Sequence, residues 1–152
     1  MALKIWQLIS IVFSALVAGM FCGPWVALTR SITAFEPRQF LVIVRHLNRN
    51  MAQVMTILMP VSLLSILPVL ILSVVKHPAT FFLSLTSFAL FLVTLLITTI
   101  VEVPIVKQID SWTLATLPAN WEQLRDRWSS FHLVRIVASI AGLVLLVAAA
   151  IF

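Results

Sequence analysis

Charged residues are scarce in this chain. Asp, Glu, Lys and Arg make up only 10% of the 152 residues, whereas hydrophobic residues make up 62%. A soluble domain is roughly 45–50% apolar and about 25% charged. The composition therefore excludes an ordinary soluble domain and favours a chain that folds in a lipid bilayer.

Cysteine and the common catalytic motifs are also scarce or absent. The one cysteine, Cys22, lies in an apolar run, so a disulfide framework within the chain is excluded. The sequence contains no GxSxG, Walker A, CxxC or GxGxxG motif and no internal repeat of the kind found in inverted-repeat transporters. The net charge of +5 belongs to residues that flank apolar runs, so we expect no nucleic acid partner.

The chain does contain four long apolar runs. A helix of about 20 apolar residues crosses a bilayer, and the runs predict helices at about residues 3–29, 37–75, 79–102 and 119–152. We expect one all-α domain, residues 1–152, folded as a four-helix transmembrane bundle. At about 1.5 Å per residue the second helix is roughly 55–60 Å long, so it should extend beyond the bilayer into a polar cap on one face.

Proline and the basic residues organise the rest of the prediction. Pro104 is expected to end the third helix, which leaves residues 107–120 as the one substantial loop. Lys4 and Lys76 flank one membrane face, and the other basic residues belong to the opposite face: Arg30, Arg38, Arg45, Arg49, Lys107, Arg125, Arg127 and Arg135. By the positive-inside rule we expect a cytoplasmic polar cap with both termini outside, in a bacterial inner membrane.

Polar residues recur at helical spacing in the predicted helices. Trp128, His132 and Arg135 share one face of the fourth helix, and His46 and Asn50 share one face of the second. Glu102 ends a polar stripe on the third helix. An up-down bundle brings these three helix segments to the same membrane face, so we expect His46, Asn50, Glu102, His132 and Arg135 to converge, with Glu102 and Arg135 as an ion pair.

Structural interpretations of the same residues stay open. The Glu102–Arg135 pair can serve as a clamp between helices, and Trp112, Trp121 and Trp128 can be interface anchors or a lid over a hydrophobic ligand. The two histidines can move protons or bind a haem or metal.

Small and hydroxyl-bearing residues form further stripes. Ala15, Gly19 and Gly23 are four apart in the first helix, a spacing that lets helices approach closely and permits a homodimer. The Ser and Thr stripes of the first and third helices are typical of packing and interhelical hydrogen bonds.

One segment is similar to a known family. The third-helix end and the pattern W-x6-W-x3-H-x2-R, at Trp121, Trp128, His132 and Arg135, resemble the DUF1772 or anthrone oxygenase-like family of small four-helix membrane proteins. The resemblance also includes the glycine-containing first helix and the polar start of the second. In the family an Asn or Asp is common two residues after the V-P pair, where this chain has Val106.

The resemblance implies a function for the polar residues. It suggests a cofactor-free oxidation of a lipophilic phenol or quinol, with His132 or His46 as the base, Arg135 stabilising the anion and Glu102 orienting its neighbours. Asn50, Trp112 and Trp128 would then bind the substrate. Two other hypotheses remain: a non-catalytic accessory subunit packed in a larger membrane complex, and a haem or metal protein that uses His46 and His132.

Overall fold

The structure is a computed structural model that describes residues 1–152, and it is entirely helical. The helices are α1 (Ala2–Ala27), α2 (Pro37–Ser73), α3 (Pro78–Ile97), α4 (Val103–Ser111) and α5 (Trp121–Ile151). A 3-10 segment, Thr29–Ala34, follows α1, and a π-helical turn, Thr98–Glu102, joins α3 to α4. The chain therefore has four helices long and apolar enough to cross a membrane: Ala2–Ala34, Pro37–Ser73, Pro78–Ser111 and Trp121–Ile151. The predicted all-α four-helix bundle is confirmed.

The helices pack as the four corners of a bundle. α1 contacts α2 and α5, and α3 contacts the same two helices, so α1 and α3 lie diagonally opposite. The Nε2 of Gln7 and the Oγ1 of Thr80 both donate to the carbonyl of Ala149. The two termini and the turn between α2 and α3 therefore lie at the same end of the bundle.

The third transmembrane helix is longer than the sequence predicted, and the predicted stop at Pro104 is wrong. Proline lacks an N–H, and in a continuous α-helix its ring clashes with the carbonyl four residues earlier. Here the π turn comes directly before it, and the N–H of Val103 donates to the carbonyl of Thr98, five residues back. Pro104 then occupies the first turn of α4, where it is tolerated. The loop is correspondingly short and runs over residues 112–120.

Hydroxyl groups hold the bundle together near the termini, as their stripes predicted. The Oγ of Ser14 lies 3.1 Å from that of Ser62, which joins α1 to α2. The Oγ of Ser87 donates to the carbonyl of Gly142 at 2.8 Å. Gly142 permits this approach, because a Cβ at that position would lie 2.8 Å from Cε2 of Phe91.

The small residues of α1 do not take part in this packing. Ala15, Gly19 and Gly23 are exposed on the outside of the bundle, and a Cβ at either glycine would meet no atom within 4 Å.

Two separate hydrophobic clusters form the core. We call the first the membrane cluster; it consists of Val17, Phe21, Met55, Met59, Leu63, Ile66, Phe91, Ile136 and Leu146. The second, which we call the cap cluster, consists of Ile32, Phe40, Leu41, Val44, Ile105, Ile109 and Trp128. On α5 the boundary between them falls between Trp128 and Ile136, and on the third transmembrane helix it falls between Phe91 and Ile105.

Candidate functional site

Three ionisable side chains lie at the boundary between the two clusters. Glu102, His132 and Arg135 are 5%, 2% and 5% exposed. We call them and their contacts Phe21, Thr98 and Trp128 the polar layer. Burying ionisable groups is costly unless they are paired and hydrogen-bonded, so their convergence calls for a structural or chemical reason.

Glu102 enters this layer from the π turn. Thr98 and Glu102 are four residues apart, a spacing that keeps side chains on one face of a helix. Both contact Arg135 from that face. Glu102 is the last residue of the turn and is buried, whereas its neighbours Ile100 and Val103 are exposed.

Arg135 is the centre of the layer. Its Nη2 forms the ion pair with Oε2 of Glu102 that the sequence predicted. The same nitrogen lies 2.8 Å from Nδ1 of His132, and Nη1 donates to Oγ1 of Thr98 at 3.0 Å. The guanidinium also lies over the ring of Phe21, 4.5 Å from its centroid, in a cation–π contact.

The contact with Arg135 fixes the proton on His132. A guanidinium has only donors, so Nδ1 of His132 must accept, and the ring proton then belongs to Nε2. The His132 ring stacks on Trp128 with centroids 5.6 Å apart and planes 9° apart, and meets Phe21 edge-on at 6.3 Å. With Nδ1 occupied by Arg135, His132 can only donate, through Nε2, to a bound molecule.

Several polar atoms of the layer have no partner. They are Oε1 of Glu102, Nε2 of His132, Nε1 of Trp128 and Nε of Arg135, all buried. The backbone carbonyl of Phe21 is close enough to interact with the His132 ring, but it does not complete a hydrogen bond to Nε2. Since buried polar groups are almost always hydrogen-bonded, these free donors and the free carboxylate oxygen are suited to hydrogen-bond a bound polar molecule.

His46 and Asn50 do not reach the polar layer, which corrects the predicted convergence. Both are exposed, and they line an outer groove of about 390 Å³ together with Leu28, Val42, Ile43 and Leu47. The Nδ1 of His46 is bonded to the carbonyl of Val42, on its own helix, at 2.9 Å. The start of α2 has polar residues on its outer face as well as on its inner one, so their spacing did not show that His46 and Asn50 face outward.

The separation of the histidines bears on the metal hypothesis. His132 is buried against Trp128 and Phe21, whereas His46 faces outward, so the two do not share a site. No group of three His, Cys, Asp or Glu side chains is arranged to hold a metal ion.

The tryptophans of the predicted substrate site occupy two places. Trp128 is 1% exposed and bridges the cap cluster and His132. Trp112 lies half-buried at the end of α4, packed on the cap cluster. Its carbonyl accepts from Nη2 of Arg45, which also donates to the carbonyls of Ile109 and Asp110 at 3.3 and 3.2 Å. Arg45 thus satisfies the last carbonyls of α4 and fastens the loop to α2.

Sequence reasoning did not select Phe21 and Thr98, which contact Arg135 in the layer, nor Asn48 on α2. Phe21 reads as an ordinary apolar residue, and only the three-dimensional contact with Arg135 distinguishes it. Thr98 stands in the hydroxyl stripe, but nothing in the spacing shows that it binds Arg135. Asn48 lies among polar neighbours on α2, and its amide nitrogen is buried without a partner.

The fold and the layer define a class: a small, multi-pass integral membrane protein with a buried Arg–Glu–His centre between two apolar clusters. The model of the anthrone oxygenase family matches residues 46–145, and the chain belongs to this family. The match includes Glu102, Trp128, His132 and Arg135. No curated protein and no solved structure matches the chain.

Proposed function

We propose that the protein is a cofactor-free membrane oxidoreductase that oxidises a lipophilic phenolic substrate of the anthrone type. The observation that carries the proposal is the buried polar layer, in which a carboxylate oxygen and three N–H donors are free. A hydroxylated aromatic ketone complements such a layer, since it has oxygens that accept hydrogen bonds and a weakly acidic C–H. Membership in the anthrone oxygenase family supports the same chemistry.

The proposed reaction needs dioxygen and no other oxidant. Glu102 removes a proton from the methylene carbon of the anthrone through Oε1, and the electron pair is delocalised onto the oxygen of the anthrone carbonyl group. The carbon then adds dioxygen and, with the proton returned, forms a hydroperoxide, which loses water to leave a carbonyl group. One dioxygen and one methylene group thus yield one carbonyl and one water, so dioxygen accepts all four electrons.

The roles of the layer follow from its hydrogen bonds. Because Nδ1 of His132 accepts a hydrogen bond from Arg135, His132 serves as a donor through Nε2. We therefore assign the role of the base to Glu102 and not to His132. Nε2 of His132 and Nε1 of Trp128 bind the developing enolate oxygen, and the charge of Arg135 stabilises it. Preorganised donors of this kind typically contribute about 10²–10³-fold to the rate.

The layer lies at a depth that suits a substrate dissolved in the membrane. Counting about 20 residues along α1, the third span and α5 from the end that holds the termini reaches Phe21, Thr98 and His132. We therefore infer that the layer sits where the hydrocarbon meets the cap. An aromatic substrate can approach it from the bilayer, with the Phe21 ring moving aside from Arg135.

The test is dioxygen consumption by the purified protein in mild detergent, with anthrone as substrate and the quinone product followed by absorbance. We expect consumption and product to match one to one. Glu102→Gln should lower turnover by about 10²–10⁴-fold, the range of general-base catalysis. Gln53→Ala, an exposed change on α2, is the matched control and should retain turnover. Equal turnover in Glu102→Gln and Gln53→Ala would refute the proposal.

One observation favours a second candidate function, that of an accessory subunit. The outward-facing Ala15, Gly19 and Gly23 leave room for another helix to approach α1 closely. This function predicts a stable partner chain, or a second copy, in native mass spectrometry of the protein from mild detergent. It also predicts no dioxygen consumption by the chain alone.

A further inference from the structure

We infer that Asn48 is the contribution of α2 to the polar layer and donates a hydrogen bond to an oxygen of the bound molecule. The inference rests on the proposed function, because it identifies a further binding residue for that site.

The position of Asn48 along the bundle follows from its neighbours in the core. Val44, one turn earlier on α2, packs in the cap cluster with Trp128. Met55, two turns later, packs in the membrane cluster with Ile136. On α5 the residue between Trp128 and Ile136 on the same face is His132, so Asn48 lies at the level of the polar layer.

With Asn48 included, every transmembrane span contributes to this level. α1 provides Phe21, the third span provides Thr98 and Glu102, and α5 provides His132 and Arg135. Without Asn48, α2 would provide only apolar side chains, since His46 and Asn50 face the outer groove.

The amide of Asn48 also has the chemistry that the site requires. Its Nδ2 is buried and has no hydrogen-bond partner. An amide nitrogen is a donor only, so its natural complement is a carbonyl, phenol or phenolate oxygen. Nε1 of Trp128 and Nε2 of His132 are unpartnered donors at the same level. The layer therefore has several unpartnered hydrogen-bond donors, which complement a bound molecule that has more than one oxygen.

The chain supplies a matched control two residues away. Asn50 is exposed on the opposite side of α2, so Asn50→Leu makes the same chemical change outside the site. Asn48→Leu keeps the branched shape and the number of side-chain heavy atoms and removes an unpaired buried amide, so it should not lower the melting temperature in detergent.

The experiment compares two planar aromatic probes by quenching of tryptophan fluorescence. Anthraquinone carries two carbonyl oxygens, whereas anthracene has the same three rings and no oxygen. We expect Asn48→Leu to weaken anthraquinone binding by about ten-fold, the effect of one buried hydrogen bond. Anthracene binding should be unchanged, and Asn50→Leu should change neither.

Each other outcome overturns the inference. Equal binding of anthraquinone to both leucine variants would show that Asn48 does not touch the ligand. An equal loss for both probes would show that Asn48 acts only through packing, and a wild-type protein that binds neither probe would remove the site. The proposed function is judged by a separate outcome. If Asn48→Leu weakens anthraquinone binding but the wild-type protein does not oxidise anthrone, the function is refuted and the inference is kept. If the wild-type protein oxidises anthrone and Asn48→Leu oxidises it equally well, the inference is refuted and the function is kept.

Discussion

At the scale of single residues, the buried ion pair has two possible meanings. Glu102 and Arg135 link the third span to α5, so they contribute to the structure whatever their chemical role. Breaking a buried pair by removing one partner is strongly destabilising, whereas replacing both by apolar residues of similar size is often neutral. Comparing single and double substitutions therefore separates the contribution of the pair to stability from its contribution to the reaction.

We predict that Arg135→Met alone lowers the free energy of unfolding by about 3–5 kcal/mol, because it leaves Glu102 buried without a counter-charge. The double variant Glu102→Leu with Arg135→Met should recover most of this loss. Thermal unfolding in detergent measures both effects.

Anthrone oxidation then decides the role of the pair. We predict that the stable double variant is inactive, because the base and the cation are both gone. A double variant that is stable and still turns over would mean that the pair is only a clamp.

At the scale of elements, the bundle depends on close contact between α3 and α5. Gly142 lies where the two helices meet, and its carbonyl accepts from Ser87. A Cβ there would lie 2.8 Å from Cε2 and 3.0 Å from Cδ2 of Phe91, well inside contact distance. Phe91 is 2% exposed and part of the membrane cluster, so its ring has little room to move.

We predict that Gly142→Ala destabilises the protein by about 1–3 kcal/mol, the usual cost of overpacking a core. Gly19→Ala is the control, because a Cβ at Gly19 meets nothing within 4 Å. It should be neutral or stabilise the helix by up to about 1 kcal/mol. Melting temperatures of the two variants in one detergent give the comparison, and similar losses for both would contradict the packing of α3 on α5.

At the scale of the whole molecule, the basic residues are distributed unequally between the two ends. The end with the termini carries Lys4 and Lys76, and the cap end carries the remaining basic residues except Arg135, which is buried in the layer. The inequality leads us to propose that the cap faces the cytoplasm and that both termini face outward.

Cysteine labelling tests this orientation. In a Cys22→Ser background, a cysteine at Ser111, on the exposed end of α4, should react with a membrane-impermeant maleimide only after the cells are opened. A cysteine at His77, in the turn between α2 and α3, should react with intact cells. The reverse pattern would place the cap outside.

Much of this architecture could be predicted from the sequence, because scarcity of charge makes each ionisable residue informative. Glu102, His132 and Arg135 stand at helical spacing in apolar surroundings, so their convergence followed from a simple up-down bundle. The start of α2 gave no such guidance, since polar residues occupy both of its faces. Spacing alone could not show that Asn48 is turned inward while His46 and Asn50 face outward.

The end of the third span was beyond prediction for a different reason. Pro104 is a helix-ending signal, and only the π turn before it lets the helix continue to Ser111. Thr98 and Glu102, at the two ends of that turn, both contact Arg135 on α5, a tertiary contact that no local pattern contains.

The central claim is that the polar layer, and not the outer groove beside His46, binds the aromatic substrate. The most direct measurement is an experimental structure of the protein with a dihydroxylated anthraquinone bound. We predict a ligand oxygen within about 3 Å of Nε2 of His132 or Nε1 of Trp128, a normal hydrogen-bond distance, and a displaced Phe21 ring. A ligand found only in the groove lined by Leu28, His46 and Asn50, with the layer unchanged, would contradict it.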